Sequence, residues 1–223
     1  KKRPKPMVEI GGKPIIWHIM KLYSYYGFND FIICTGYLEK SIRTYFKKLK
    51  KKNDEKFWKV NCVYTGKRTF TGSRLRKIYK LIKNEKSFFM TYGDGLSNIN
   101  LKKLLKFHKK HNLNATISCV QPPARYGSVV FKKNKIIDFK EKVEGEGYIN
   151  GGYFVLNPKI LNLIKKSDKQ SFENDVLPQI AKKGQLSGFI HKDFWYAIDT
   201  IREKTNIEEM IKQNNAKWMI WKK

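Results

Sequence analysis

At 223 residues the chain has room for one large domain or two small ones. Hydrophobic residues make up 41% and the aromatics comprise 14 Phe, 12 Tyr and 5 Trp, which excludes a disordered basic tail. The net charge is +28, yet only seven of the 47 basic residues are Arg, and a Lys excess this lopsided argues against a reader of nucleic-acid sequence, where guanidinium forks are favoured. A bias towards Lys codons on solvated faces accounts for such a charge, and a positive surface also steers small polyanions into a site.

The opening "KKRPKPMVEIGGKP" begins like a basic tag. Prolines at 4 and 6 restrict the backbone on either side of Lys5, so Lys5 is either one more surface charge or an aimed cation. "KPIIWHIMKLYSYYGF" carries apolar residues at helical spacing and stops at Gly27. "DFIICTG" reads as a buried strand, "LEKSIRTYFKKLKKK" as a basic helix and "KVNCVYTG" as a half-buried strand. "TGSRLRKIYKLIK" predicts a helix starting near Thr71, "SFFMTYGDG" an apolar strand, "INLKKLLKFHKKHN" an amphipathic helix and "NATISCVQ" a strand. After Pro122-Pro123, "RYGSVVFKKNKIIDFKEK" predicts a hairpin turning near Lys133-Asn134. "YINGGYFVLN" reads as a strand, "PKILNLIKK" and "SFENDVLPQIAKK" as helices, and "LSGFIHKDFWYAID" as a strand. The last helix opens at "TIRE", where Thr200 and Glu203 make a capping-box pattern. Strand–helix alternation over the first half predicts one α/β domain, with a mostly parallel central sheet flanked by helices and a small antiparallel insert after Pro123. Cys34, Cys62 and Cys119 lie in apolar runs without C-x-x-C spacing and read as free thiols of a reducing compartment. No apolar run approaches the ~18 residues of a membrane span, and with no signal peptide in the sequence the expectation is a cytoplasmic protein.

Sites in open α/β sheets lie at the carboxyl ends of strands. Asp94 stands at such an end, between glycines, where a carboxylate suits a hard cation such as Mg²⁺ but where a plain Asp-Gly turn is the competing reading. Asp199 follows another aromatic strand; it is either a second ligand for the same ion or a helix-capping residue. "TGKRTFTGSRL" leads into a helix, and its backbone N–H groups with Arg74 suit an anion, or form a basic surface loop; it is not a Walker A sequence. Glu141-Lys142 pairs an acceptor for sugar hydroxyls with an ammonium for a sugar phosphate, or is an exposed charge pair. His18, His108, His111 and His191 pair with no Ser or Cys nucleophile and read as structural or solvated.

Taken together and in order, "RPKPMVEIGGKPIIWHIM", "DFIICTGY", "TGSRL", "TYGDG", "PPARYG", "FKEK", "INGGYFVLNP" and "FWYAIDTIRE" resemble the sugar-1-phosphate nucleotidyltransferases over essentially the whole chain, and among them the branch that uses CTP and glucose 1-phosphate. The resemblance implies a Rossmann-like nucleotidyltransferase fold as a single domain over residues 1–223, Mg²⁺ as cofactor, and no nucleic-acid or membrane partner. It implies CTP and glucose 1-phosphate as substrates, CDP-glucose for surface polysaccharide as product, and a homo-oligomer by analogy. It also implies roles. Lys5 matches the catalytic lysine that contacts phosphates, and Asp94 and Asp199 match the Mg²⁺ pair. Thr69, Gly72, Arg74 and Gly93 fall where the family contacts the nucleotide. Tyr126, Gly127, Glu141, Lys142 and Gly151 fall where it contacts the sugar phosphate. The family's first strand and glycine-rich G-G-x-G-T-R loop are expected ahead of Lys1 and are not in this sequence. The stretch "FKKLKKKNDEKFWKV" is shorter than its counterparts, and Val143 stands where many relatives have Pro. Uridylyl-, thymidylyl- or guanylyltransferase activity, and a basic nucleic-acid-binding protein, remain the alternatives at this level.

Overall fold

The computed structural model describes residues 3–51, 55–121 and 147–222, with the backbone of 128–132 and 135–140. The chain enters through a 3₁₀ turn, Lys5–Met7, and a short antiparallel pair, β1 (Glu9–Ile10) and β2 (Lys13–Pro14). Then come α1 (Ile15–Tyr25), β3 (Asp30–Thr35), α2 (Glu39–Lys51) and β4 (Lys59–Tyr64). They are followed by α3 (Thr71–Lys77), α4 (Tyr79–Ile82), β5 (Phe88–Thr91), β6 (Gly95–Ser97), α5 (Leu101–His111) and β7 (Ala115–Val120). The hairpin β8 (Ser128–Lys132) and β9 (Lys135–Lys140) leads to β10 (Ile149–Leu156). The chain closes with α6 (Leu177–Lys182), β11 (Leu186–His191), β12 (Trp195–Ala197) and α7 (Ile201–Lys212).

α1 ends as its glycine predicts. Gly27 takes φ +90°, and Phe28 N–H reaches back to the Tyr23 carbonyl at 3.0 Å, a Schellman closure. Phe28 and Tyr23 then pack into the same apolar cluster.

β10 is the middle of the molecule. Its pleat sends Tyr153 and Val155 to one face, where they meet Ile19 and Leu22 of α1, Leu104 of α5 and Ile207 of α7. Phe154 and Leu156 go to the other face, against Leu75 of α3, Ile82 of α4 and Ile180 of α6. These side chains are almost wholly buried, and each contributes about 2 kcal/mol by leaving water. A strand buried on both faces makes a three-layer α/β/α body.

The central sheet is mixed where alternation predicted mostly parallel pairing. Its order is β11-β7-β10-β5; β11 runs parallel to β7, while β10 runs antiparallel to both of its neighbours. The connection accounts for this: from β7 the chain goes out through the β8–β9 hairpin and returns beside β7, and its described residues include no crossover helix of the kind a parallel pair needs. β3 and β4 form a parallel pair beneath α2.

Four predicted elements differ in form. The helix predicted from Thr71 breaks at Ile78 (φ −95°, ψ 9°) into α3 and α4, which lets Leu75, Ile78 and Ile82 all face the core. "PKILNLIKK" is a 3₁₀ turn, Pro158–Leu163, and "SFENDV" a π turn, Phe172–Val176, that gives way to α6 where Pro178, lacking an N–H, can only stand at a helix start. "LSGFIHKDFWYAID" is two strands, because the chain leaves β7 after His191 and pairs with β6 from Trp195.

Candidate active site

The β6/β12 ladder builds the centre of the site. Its register sets Ala197 opposite Gly95, and Ile198 N–H donates to the Asp94 carbonyl at 3.0 Å. Asp94 and Asp199 therefore emerge at the same end of one short ladder. Asp199 is not the helix cap. Thr200 caps α7, its hydroxyl accepting from Glu203 N–H at 3.2 Å, and the Glu203 carboxylate takes the N–H groups of Asp199 and Thr200 at 2.6 and 2.8 Å. The Asp199 side chain is left to point elsewhere.

It points at Lys5. The Lys5 ammonium donates to Asp94 Oδ2 at 2.6 Å and to Asp199 Oδ1. Burial pulls the ammonium pKa down, but hydrogen bonds and attraction from Asp199 and Asp94 more than offset that, and it lies above the ordinary Lys value. Lys5 is aimed by its turn: Met7 N–H closes onto the Pro4 carbonyl at 2.8 Å, and Pro4 holds φ −65°. Pro6 lies so close to the Gly93 backbone that a Cβ there would come within 2.7 Å of its Cγ, which is why this position has no side chain.

A pocket opens beside the carboxylates, lined by Thr91, Tyr92, Asp94, Asn150, Gly151 and Trp195 among others. The Asn150-Gly151-Gly152 run bulges where β10 meets β7. Gly152 takes φ +76°, and a Cβ on it would meet the Tyr92 ring at 2.9 Å. The Gly151 carbonyl accepts from the Trp195 indole N–H at 2.7 Å, and Asn150 Oδ1 accepts from Gly152 N–H at 2.8 Å. Residues Lys5, Gly93, Asp94, Gly151 and Asp199 thus come together.

Thr69, Gly72 and Arg74 form a second group at the carboxyl ends of β3 and β4. The Arg74 guanidinium donates to the Thr35 carbonyl at 3.0 Å and the Thr65 hydroxyl at 2.5 Å. Thr69 is buried, its hydroxyl accepting from Lys77 at 3.3 Å, and a Cβ on Gly72 would run into the Gln170 carbonyl at 2.9 Å. These three side-chain positions are turned into the protein; the exposed members of the loop are Lys67, Arg68, Phe70 and Thr71. Tyr126, Gly127, Glu141 and Lys142 lie outside the described residues.

Tyr92, Asn150, Trp195 and Glu173 were not reached from sequence. Glu173 joins the two groups, accepting from Thr71 at 2.6 Å and Tyr92 at 2.5 Å. Burial raises its pKa, but these hydroxyl donors outweigh that and hold the carboxyl below its ordinary range. The only signal was the predicted helix around Glu173, which says nothing about partners a hundred residues away. His18 is structural as expected, buried and held by the Ile10 carbonyl at 3.0 Å and the Trp218 indole at 3.3 Å, whereas His191 lies 3.2 Å from the Ser97 hydroxyl, a Ser contact not expected from sequence. Among the described residues no helix is long and apolar enough to cross a membrane.

The chain matches the family described as Nucleotidyl transferase over residues 1–214. It is 39% identical to the Glucose-1-phosphate cytidylyltransferase of Salmonella typhimurium, over 98% of this chain and 92% of that protein. It is 36% identical to the Probable glucose-1-phosphate cytidylyltransferase of Bacillus subtilis, over the same shares of 98% and 92%. Among solved structures, HddC from Yersinia pseudotuberculosis superposes with a TM-score of 0.74 at 27% identity, covering 94% of this chain and 90% of that one.

Proposed function

We propose, since this chain belongs to the nucleotidyl transferase family, that it transfers CMP from CTP to α-D-glucose 1-phosphate, releasing pyrophosphate and giving CDP-glucose for surface-polysaccharide synthesis. The observation that carries the site assignment is the convergence of Asp94 and Asp199 on one cation, the Lys5 ammonium. That donor set suits Mg²⁺. Two carboxylates already place an oxygen each on a shared positive charge, and Mg²⁺ takes one or two carboxylates with substrate phosphates and water completing its shell. Asp94 and Asp199 would hold the ion, and it would supply neutralisation of charge on the substrates.

The reaction needs two anions held together more than it needs a nucleophile from the protein. A phosphate oxygen of glucose 1-phosphate attacks the α-phosphorus of CTP in line, the new P–O bond forms, and the bond to pyrophosphate breaks opposite. Lys5 offsets charge on the phosphates during that step. The pocket along Tyr92, Asn150 and Gly151 receives the sugar phosphate. The loop from Lys67 to Thr71 receives the nucleotide, through backbone and exposed side chains, while Arg74 and Thr69 hold its shape.

The test is a pyrophosphate-release screen of the nucleoside triphosphates against several sugar 1-phosphates with the full chain. CTP with glucose 1-phosphate should give the highest kcat/KM, and Asp94→Asn should abolish turnover. Faster turnover with UTP, dTTP or GTP would replace the base assignment, and unaltered turnover in the Asp94 variant would remove the metal assignment.

A further inference from the structure

Glu173 lies on the π turn before α6, outside every stretch that points to the site from sequence. Its half-buried carboxylate receives three hydroxyls: Tyr92 at 2.5 Å on one oxygen, and Thr71 at 2.6 Å and Ser171 at 2.8 Å on the other. A carboxylate only accepts, so all three hydroxyl protons are committed to it. Thr71, with its proton spent, accepts from Phe172 N–H at 2.9 Å and so fastens the first residue of α3.

The consequence for Tyr92 is directional. Its proton is held by Glu173, so towards the pocket it presents lone pairs. Asn150 answers with its Nδ2, 3.4 Å from the Tyr92 oxygen, while its Oδ1 accepts from Gly152 N–H at 2.8 Å. The amide of Asn150 is thereby fixed one way round. Tyr92 and Asn150 both line the pocket that holds Asp94 and Gly151.

We propose that Glu173 is a positioning residue for the transfer reaction: by taking the Tyr92 proton it makes Tyr92 an acceptor on the pocket wall, ready for a sugar hydroxyl, and by holding Thr71 it ties that wall to the nucleotide loop. The inference rests on the function proposed above. It predicts that the sugar phosphate, a hydroxyl donor, feels the loss of Glu173 more than the chemical step does.

Glu173→Gln keeps the shape but adds an amide N–H₂, so at least one hydroxyl must turn its proton away. The expected result in the full chain is a KM for glucose 1-phosphate raised about tenfold, with kcat within about threefold of wild type and the melting temperature nearly unchanged. Tyr92→Phe, which removes only the hydroxyl, should raise the same KM. The double variant should be no worse than Glu173→Gln, because both changes break one relay. If Glu173→Gln does not fold, Tyr92→Phe alone carries the test. An unchanged KM in the folded variants, or losses that simply add, overturns the inference while leaving the proposed function standing. Wild-type protein that releases no pyrophosphate with any substrate pair overturns both.

Discussion

Asp199 reaches the site because a neighbour relieves it of capping. Thr200 and Glu203 satisfy the first N–H groups of α7, so the Asp199 carboxylate can turn to Lys5. Lys5 in turn is set apart from the other lysines by its two carboxylate partners. Lys51, at the exposed end of α2, removes the same formal charge when replaced but stands in a solvated run. Lys5→Ala should lower kcat on the order of a hundredfold, the scale of losing one group aimed at developing charge. Lys51→Ala should change it less than about twofold. Equal losses, read from initial rates of pyrophosphate release, would mean that positive charge acts only in bulk. Lys5, Asp94 and Asp199 each sit on a local signal (a proline turn, a glycine-flanked strand end, a strand running into a capped helix) that made them candidates but left a bland reading open; the family resemblance, not the signals, grouped them. Tyr92, Asn150 and Glu173 carry no such signal. Their meaning lies in hydroxyl protons shared between strand and π turn, and only the folded chain brings those together.

Elements whose ends are written in local chemistry were legible: α1 stops at Gly27 and α7 opens on its capping box. Elements whose form is decided by packing were not. The break at Ile78 and the parting of β11 from β12 follow from where the apolar faces must go, which period and propensity do not encode. α1 also carries a prediction. Burial pushes its His18 down to about pKa 4, against an ordinary His value of about 6.5. Between those two pH values the unfolded chain takes up a proton that the folded chain refuses. The contribution of His18 is therefore complete above about pH 6.5 and is lost as pH falls towards 4, on the order of 3 kcal/mol in all. Urea melts at pH 7 and pH 5 should show a drop in unfolding free energy that is smaller in His18→Gln. The same drop in both proteins would count against His18 as the source.

At the scale of the whole molecule, β10 at the centre of three layers explains how both groups of candidate site residues share one core. β5 ends and β10 begins at the pocket, while β3 and β4 end at the loop that Arg74 braces. The charge of +28 fits this division. On the proposed function it would steer polyanions towards a site whose aimed cation is Lys5. That lysine has a temporal consequence. The contact of Lys5 with Asp199 joins residues 194 positions apart, and its contact with Asp94 joins residues 89 apart. Contacts of such separation form late, since loop closure must precede any gain from them, and chains of this size pass through partly packed intermediates. In refolding from denaturant, far-UV circular dichroism should recover first and pyrophosphate release in a slower phase; simultaneous recovery would refute this. On the proposed function the carboxylate pair with its lysine would then seal folding: a chain that has helices and sheet but has not yet brought residue 5 to residue 199 would hold its chemistry in abeyance.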